Sequence, residues 1–140
     1  APVYLLAKQA VEAGREVDVV LGARTKDALV CLPRYEALGA RQVRCATDDG
    51  TFGHAGFCTG VVEELLAAGE YDYAAVCGPE PLMKIVAQQT ANASLPCQVS
   101  LERRMACGVG ACLSCVVDTV NGKKRACVDG PVFWREEVVW

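Results

Sequence analysis

Four cysteines near the C-terminus constrain this chain more than any other feature of its sequence. They are spaced C-x4-C-x2-C-x11-C, so three lie in one short loop and the fourth follows a predicted hairpin. Such a short loop can surround an anionic inorganic centre only if several backbone N–H groups point inward. Gly108 and Gly110 permit this because glycine readily takes positive φ. The pattern predicts a metal site, with these ligands: Cys107, Cys112, Cys115 and Cys127.

The kind of centre follows from the spacing. It matches the C-x4-C-x2-C pattern with a distant fourth cysteine that holds a 2Fe–2S cluster in plant-type ferredoxins. Structural zinc is one alternative, although zinc modules usually pair two short knuckles, whereas here three cysteines face a single remote one. Disulfides are another, but nine cysteines is an odd number, no secretory segment is visible, and Cys112 and Cys115 lie very close together. We interpret the loop as a 2Fe–2S site.

Composition indicates a folded chain of ordinary domain size. Its 140 residues are 52% hydrophobic and 22% charged, which suits one domain or two small ones. The net charge of -3 argues against nucleic acid as the main partner. No apolar run of about 18 residues occurs, so no membrane span is expected. A cysteine-rich chain with an iron–sulfur site implies a reducing compartment, and we expect a cytoplasmic protein.

Strand and helix patterns alternate through the first two thirds of the chain. Short apolar, often β-branched runs predict strands at 17–21, 41–46 and 73–77. Periodic apolar residues predict helices at 3–13 and 60–68 and another that begins near residue 81, and residues 26–38 are predicted as largely helical with a break near Pro33. This alternation is typical of an α/β fold with a parallel sheet and right-handed crossovers.

The last third has a different pattern. A break at 92–96 predicts a boundary between a lobe of residues 1–94 and a small β-rich domain of residues 95–140. Strand 98–102 leads into the cysteine loop, and Asn121-Gly122 predicts a two-residue hairpin that returns the chain to it. We expect metal ligation to supply much of the stability of so small a domain.

Other notable side chains have unremarkable interpretations. Basic residues at 103–104 and 123–125 suit either a docking patch or, more commonly, a solvated hairpin tip. His54, the only histidine, is interpreted as a solvated loop residue. The remaining scattered cysteines are interpreted as small buried hydrophobic residues: Cys31, Cys45, Cys58 and Cys97.

Ligands of parallel α/β sheets bind beyond the carboxyl ends of the strands. The three predicted strands are followed by polar or glycine-containing segments, which would line one crevice: 22–24, 47–50 and 77–80. Here a resemblance enters. Cys77-Gly-Pro, with Met83 following, resembles the C-G-P motif of the ferredoxin-reductase family, and the other two segments resemble that family's pyridine-nucleotide loops.

The resemblance implies a nicotinamide site and an NAD cofactor. Gly78 and Pro79 would keep the turn tight, Cys77 would lie near the nicotinamide ring, and Met83 would support the turn from its helix. On the adenosine side, the resemblance implies contacts from these residues of the first two loops: Gly22, Arg24, and Asp48 or Asp49. The implied fold is a ferredoxin-reductase-like nucleotide lobe followed by a 2Fe–2S domain.

More narrowly, the cysteine loop and the tail Cys127-Val-Asp-Gly-Pro-Val-Phe133 resemble the electron-transfer subunits of heteromeric dihydroorotate dehydrogenases. This likeness implies a partner subunit that carries FMN, a hetero-oligomer, and electron flow through the cluster to FAD and then NAD in pyrimidine biosynthesis. It implies no acid–base residue, because the cluster conducts electrons. The family's flavin barrel and glycine-rich first strand are missing, so we expect a fragment without FAD and without activity alone.

Two other functions stay open from the sequence. The reductase lobe is shared with diaphorase-type subunits of hydrogenases and with ferredoxin-dependent transhydrogenases. A zinc-stabilised interaction module without a redox role is the alternative from another class.

Overall fold

The computed structural model describes residues 2–140, which divide into two compact units, one ending at Gly69 and the other spanning Glu70–Trp140. The first unit contains these helices and strands: α1 (Pro2–Glu12), β1 (Asp18–Ala23), a 3-10 turn (Lys26–Ala28), α2 (Leu32–Glu36), β2 (Gln42–Thr47), β3 (His54–Ala55) and α3 (Cys58–Ala68). The second contains the following: β4 (Ala74–Cys77), α4 (Glu80–Asn92), β5 (Cys97–Ser100), β6 (Val116–Thr119), β7 (Gly122–Arg125), β8 (Val132–Trp134) and a 3-10 turn (Arg135–Glu137).

The first unit is a three-stranded parallel sheet in the order β1-β2-β3. Helix α3 packs on β1 and β2, with Val61 fully buried. A Cβ at Gly22 would lie 2.6 Å from the Cys58 sulfur, so the missing side chain lets α3 approach β1 closely. The sequence placed Gly22 after the strand, whereas it lies inside β1.

Two further parts of this unit differ from what the sequence predicts. His54 does not lie in a loop, because it begins β3 and pairs with Ala46. Its Nδ1 lies 3.7 Å from a carboxylate oxygen of Glu64. Residues 26–38, predicted as largely helical with a break near Pro33, form a 3-10 turn and the short helix α2, and the break lies at residues 29–31.

The second unit has its own sheet in the order β4-β5-β8. Strands β4 and β5 are parallel and joined by α4, whereas β8 joins β5 antiparallel. Helix α4 packs on both parallel strands and buries Met83 and Val86. Parallel strands linked by helices confirm the α/β class. Strand β5 pairs with β4 across the predicted boundary between residues 94 and 95. The division into residues 1–94 and 95–140 therefore stays a prediction about which part of the chain performs which function.

Strands β6 and β7 form the hairpin that follows the cysteine loop. They pair from Val116 with Arg125 to Thr119 with Gly122, so the two residues of the turn are Val120 and Asn121. The predicted Asn121-Gly122 turn was therefore displaced by one residue. Gly122, the first residue of β7, has a φ of +95°, and this positive φ lets the chain leave the turn and pair with Thr119.

No helix among residues 2–140 combines the length and the apolar character that crossing a membrane requires.

Candidate metal centre

Between β5 and β6 the chain has neither helix nor strand, and positive φ angles set its path. They occur at Gly108 (+70°), Gly110 (+82°) and Leu113 (+59°). A left-handed leucine is uncommon, because its Cβ crowds the backbone. Repeated left-handed residues turn successive N–H groups toward one side, which creates a concave surface that suits an anion.

Cys107 is the sulfur toward which this loop directs its donors. The backbone N–H groups of Val109 and Cys112 each donate to the Cys107 Sγ at 3.4 Å. Donation from the Cys112 N–H, then from the Val109 N–H, the Cys112 thiol and the Ala111 N–H, lowers the pKa of Cys107 to about 6. Cys107 is therefore largely a thiolate near neutral pH, which is the form that binds metals.

Cys115 and Cys127 form a second pair. The hairpin brings them together, since the Ala126 N–H donates to the Cys115 carbonyl at 3.0 Å. Hydrogen bonds from the Cys127 N–H and thiol lower the pKa of Cys115. The hydrogen bond between the Cys127 and Cys115 side chains raises the pKa of Cys127, and burial raises it further. A hydrogen bond from the Gly110 N–H lowers it. The negative charge of the Cys107 thiolate also raises the pKa of Cys127.

The arrangement of these thiols suits a binuclear centre. Within the described residues, no three His, Cys, Asp or Glu side chains gather as ligands of one metal ion. Instead Cys107 contacts Cys112, and Cys115 contacts Cys127. A 2Fe–2S cluster needs two thiolates on each of two irons. Two adjacent thiol pairs with inward N–H donors fit that requirement.

An ion pair ties the hairpin to the loop. The Arg125 guanidinium contacts the Asp129 carboxylate, with Nε to Oδ2 at 3.0 Å, and its Nη1 donates to the Gly110 carbonyl at 3.3 Å. The hydrogen bond and charge of Asp129 raise the pKa of Arg125. Sequence reasoning noted Arg125 only as one of several basic residues. The i, i+4 spacing to Asp129 was the available signal.

The first unit brings its predicted nucleotide residues to the carboxyl ends of β1 and β2. The Asp48 N–H donates to the Ala23 carbonyl at 3.0 Å, and the Asp49 N–H donates to the Arg24 carbonyl at 3.2 Å. The side chains of Arg24, Asp48 and Asp49 are exposed. Asp49 accepts hydrogen bonds from the Thr51 hydroxyl and N–H, which lower its pKa.

The remaining predicted nucleotide residues lie in the second unit. Cys77 ends β4, and Pro79 precedes α4, whose Met83 is buried. The Cys77 sulfur lies 3.8 Å from a Glu102 carboxylate oxygen, and burial, reinforced by that charge, raises the pKa of Cys77. The nucleotide-binding role of these residues stays a prediction.

The fold has a close counterpart among solved structures. An NADH-dependent reduced ferredoxin-NADP oxidoreductase, studied for flavin-based electron bifurcation, superposes with a TM-score of 0.85 at 35% identity. The match covers 99% of this chain and 49% of that protein. In class, therefore, this chain is a ferredoxin-reductase-like α/β protein.

Sequence comparisons are more specific. Residues 102–139 match the family described as the iron-sulfur cluster binding domain of dihydroorotate dehydrogenase B. The chain is also 42% identical to the electron transfer subunit of dihydroorotate dehydrogenase B (NAD+) from Caldanaerobacter subterraneus subsp. tengcongensis, covering 100% of this chain and 55% of that subunit. It is 43% identical to the Bacillus caldolyticus subunit of the same name, covering 99% and 52%.

The resemblance inferred from the motifs is thereby confirmed: the chain is related to electron transfer subunits of dihydroorotate dehydrogenase B. It spans about half the length of the curated relatives it matches.

Proposed function

We propose that this chain is the nucleotide-binding and cluster-binding part of an electron-transfer subunit. Its cluster ligands are these four cysteines: Cys107, Cys112, Cys115 and Cys127. The observation that carries the proposal is the pairing of the four thiols, together with the backbone N–H groups that donate to Cys107 and Cys127. When bound, a 2Fe–2S cluster supplies one-electron transfer, which a nicotinamide cannot readily perform.

Two parts of the chain perform different tasks in this proposal. The loop from Cys107 to Cys115, with Cys127, binds the cluster and directs N–H dipoles at its sulfurs, which stabilises negative charge there. None of these cysteines needs an acid–base role. The other task is nucleotide binding, which we assign to the lobe of residues 1–94, whereas residues 95–140 form the cluster domain.

The nucleotide is NAD, bound at the strand ends. We assign its nicotinamide end to the turn after β4, where Cys77, Gly78 and Pro79 lie and Met83 supports the turn. The adenosine end is assigned to Gly22, near the end of β1, and to these residues beyond β1 and β2: Arg24, Asp48 and Asp49. The exposed Arg24 supplies a positive charge that suits the phosphates or ribose of a dinucleotide.

The activity of the whole protein extends this proposal. The relatives are named as electron transfer subunits of an NAD+-linked dihydroorotate dehydrogenase. By analogy, the complete subunit adds FAD and joins an FMN-containing catalytic subunit in a cytoplasmic hetero-oligomer of pyrimidine biosynthesis. In that complex, the cluster and FAD would conduct electrons from dihydroorotate to NAD+, and we expect the 140-residue chain alone to be inactive.

One observation favours a second candidate. The solved counterpart is a ferredoxin-NADP oxidoreductase, and its match covers the same 99% of this chain. A ferredoxin-dependent transhydrogenase subunit would use the same two lobes with a different partner. Copurification of the complete protein with a dihydroorotate-oxidising subunit separates the two candidates.

Replacement of one cluster ligand tests the proposal. Cys112→Ser should abolish the visible absorbance of the reconstituted chain and most of its iron, because one iron loses a thiolate. The matched control is Cys31→Ser, which removes a half-buried thiol from the first unit and should leave the spectrum unchanged. Retention of the colour and the iron by Cys112→Ser would show that the ligand assignment is wrong.

A further inference from the structure

Arg125 is the last residue of β7, and its side chain contacts both Asp129 and the cysteine loop. Its guanidinium is held by the Asp129 carboxylate through two contacts, Nε to Oδ2 at 3.0 Å and Nη2 to Oδ1 at 3.4 Å. The Arg125 backbone N–H also donates to Asp129 Oδ2, at 2.8 Å. Two contacts with one carboxylate prevent the planar guanidinium from rotating freely. They therefore fix the direction in which its remaining nitrogen, Nη1, can donate.

The third contact of this guanidinium is to the cysteine loop. Nη1 of Arg125 donates to the Gly110 carbonyl at 3.3 Å. Any Cβ at Gly110 would lie 3.1 Å from this nitrogen and 3.1 Å from a Val128 methyl carbon, so the hairpin presses directly on the loop at Gly110. The close approach is possible because residue 110 has no side chain.

Gly110 lies in the segment of the loop that donates to cysteine sulfur, since the Val109 and Cys112 N–H groups each donate to the Cys107 Sγ at 3.4 Å. The Gly110 carbonyl belongs to the same peptide group as the Ala111 N–H, which is one of the donors to Cys107. The Gly110 N–H itself is a donor to Cys127. A cation at a carbonyl oxygen polarises the peptide and strengthens donation by its N–H, since hydrogen bonds in a chain reinforce one another.

We propose that Arg125, held by Asp129, is a positioning residue that orients the Gly110–Ala111 peptide toward the cluster sulfurs and thereby raises the reduction potential of the cluster. Reduction adds negative charge to the cluster, and stronger N–H donation to sulfur stabilises the reduced form. This inference rests on the proposed cluster site, and it adds a role for a residue that is not a ligand.

The test compares charge removal at two positions of the same strand. Arg125→Gln removes the cation that contacts the loop. The control Lys123→Gln removes an equal charge whose ammonium pairs instead with Asp118, at 3.2 Å. Each variant and the wild-type chain are reconstituted with iron and sulfide, and the midpoint potential is measured by EPR-monitored redox titration. Iron loss to a chelator is followed in parallel.

Arg125→Gln should have a lower midpoint potential than both the wild type and Lys123→Gln, and should lose iron roughly tenfold faster. Arg125→Lys, which keeps the charge but lacks the fork, should load the cluster and give intermediate values. The proposal is overturned if Arg125→Gln matches Lys123→Gln in both measurements. If Arg125→Gln assembles no cluster, it is overturned by an Arg125→Lys variant that matches the wild type in both.

The two proposals fail differently. A wild-type chain that holds no iron and sulfide contradicts the proposed function. A wild-type cluster whose potential is insensitive to residue 125 contradicts only the role of Arg125.

Discussion

The proposed function of this chain depends mainly on its cysteine sulfur atoms and on the N–H groups that donate to them. The sequence correctly predicted that a glycine-containing loop would turn N–H groups toward cysteine sulfur, because short cysteine spacing leaves few other paths. It did not predict the role of Arg125, because the register of the hairpin decides which basic side chain reaches Gly110. That register depends on backbone conformation at Gly122, which no spacing rule specifies.

A substitution at Gly22 should change the stability of the chain. Gly22→Ala should lower the free energy of unfolding by about 1–3 kcal/mol, because its new Cβ would overlap the Cys58 sulfur at 2.6 Å. Urea denaturation followed by circular dichroism measures the change.

Cys58→Ala provides the matching background for Gly22→Ala. Removal of the sulfur should reduce the penalty of the alanine, so the double variant should be more stable than the sum of the single effects predicts. Strictly additive effects would show that the close packing of α3 on β1 is not the cause.

Whole elements were predictable where their apolar period was long and uninterrupted. Helices α1, α3 and α4 and the parallel strands β1, β2 and β4 all fall within a few residues of their predicted bounds. Short elements were harder to predict, because tertiary pairing determines them. His54 became part of a strand only because β2 offered a free edge, and β8 joined β5 through contacts distant in sequence.

The hairpin offers a test at the scale of one element. Gly122→Ala should destabilise the second unit by about 1–2 kcal/mol, because alanine disfavours the φ of +95° observed there. Apart from residue 122 and its two chain neighbours, no described residue has an atom within 4 Å of the added Cβ, so the cost is one of backbone conformation.

Asn121→Ala is the matched control for this turn, and it should change stability by no more than about 0.5 kcal/mol. Thermal unfolding of the two variants decides between the registers. A loss for Asn121→Ala as large as that for Gly122→Ala would indicate that Asn121 also needs a positive φ, as in the Asn121-Gly122 turn that the sequence pattern suggested.

At the scale of the whole molecule, the chain combines parallel α/β units with a cysteine loop that contains neither helix nor strand. The second unit contains both, since its sheet β4-β5-β8 and the cysteine loop belong to one compact body. The α/β class and the relationship to electron transfer subunits were predictable, because both depend on local motifs. The division into residues 1–94 and 95–140 stays a prediction about function, because β5 pairs with β4 across it.

The most direct test of the central claim is the metal and sulfide content of the chain, purified without oxygen, together with its EPR spectrum after reduction by dithionite. We predict two irons and two acid-labile sulfides per chain, visible absorbance that bleaches on reduction, and the EPR signal of a reduced 2Fe–2S cluster. A chain that holds one zinc ion, contains no sulfide and stays EPR-silent under dithionite would contradict the account.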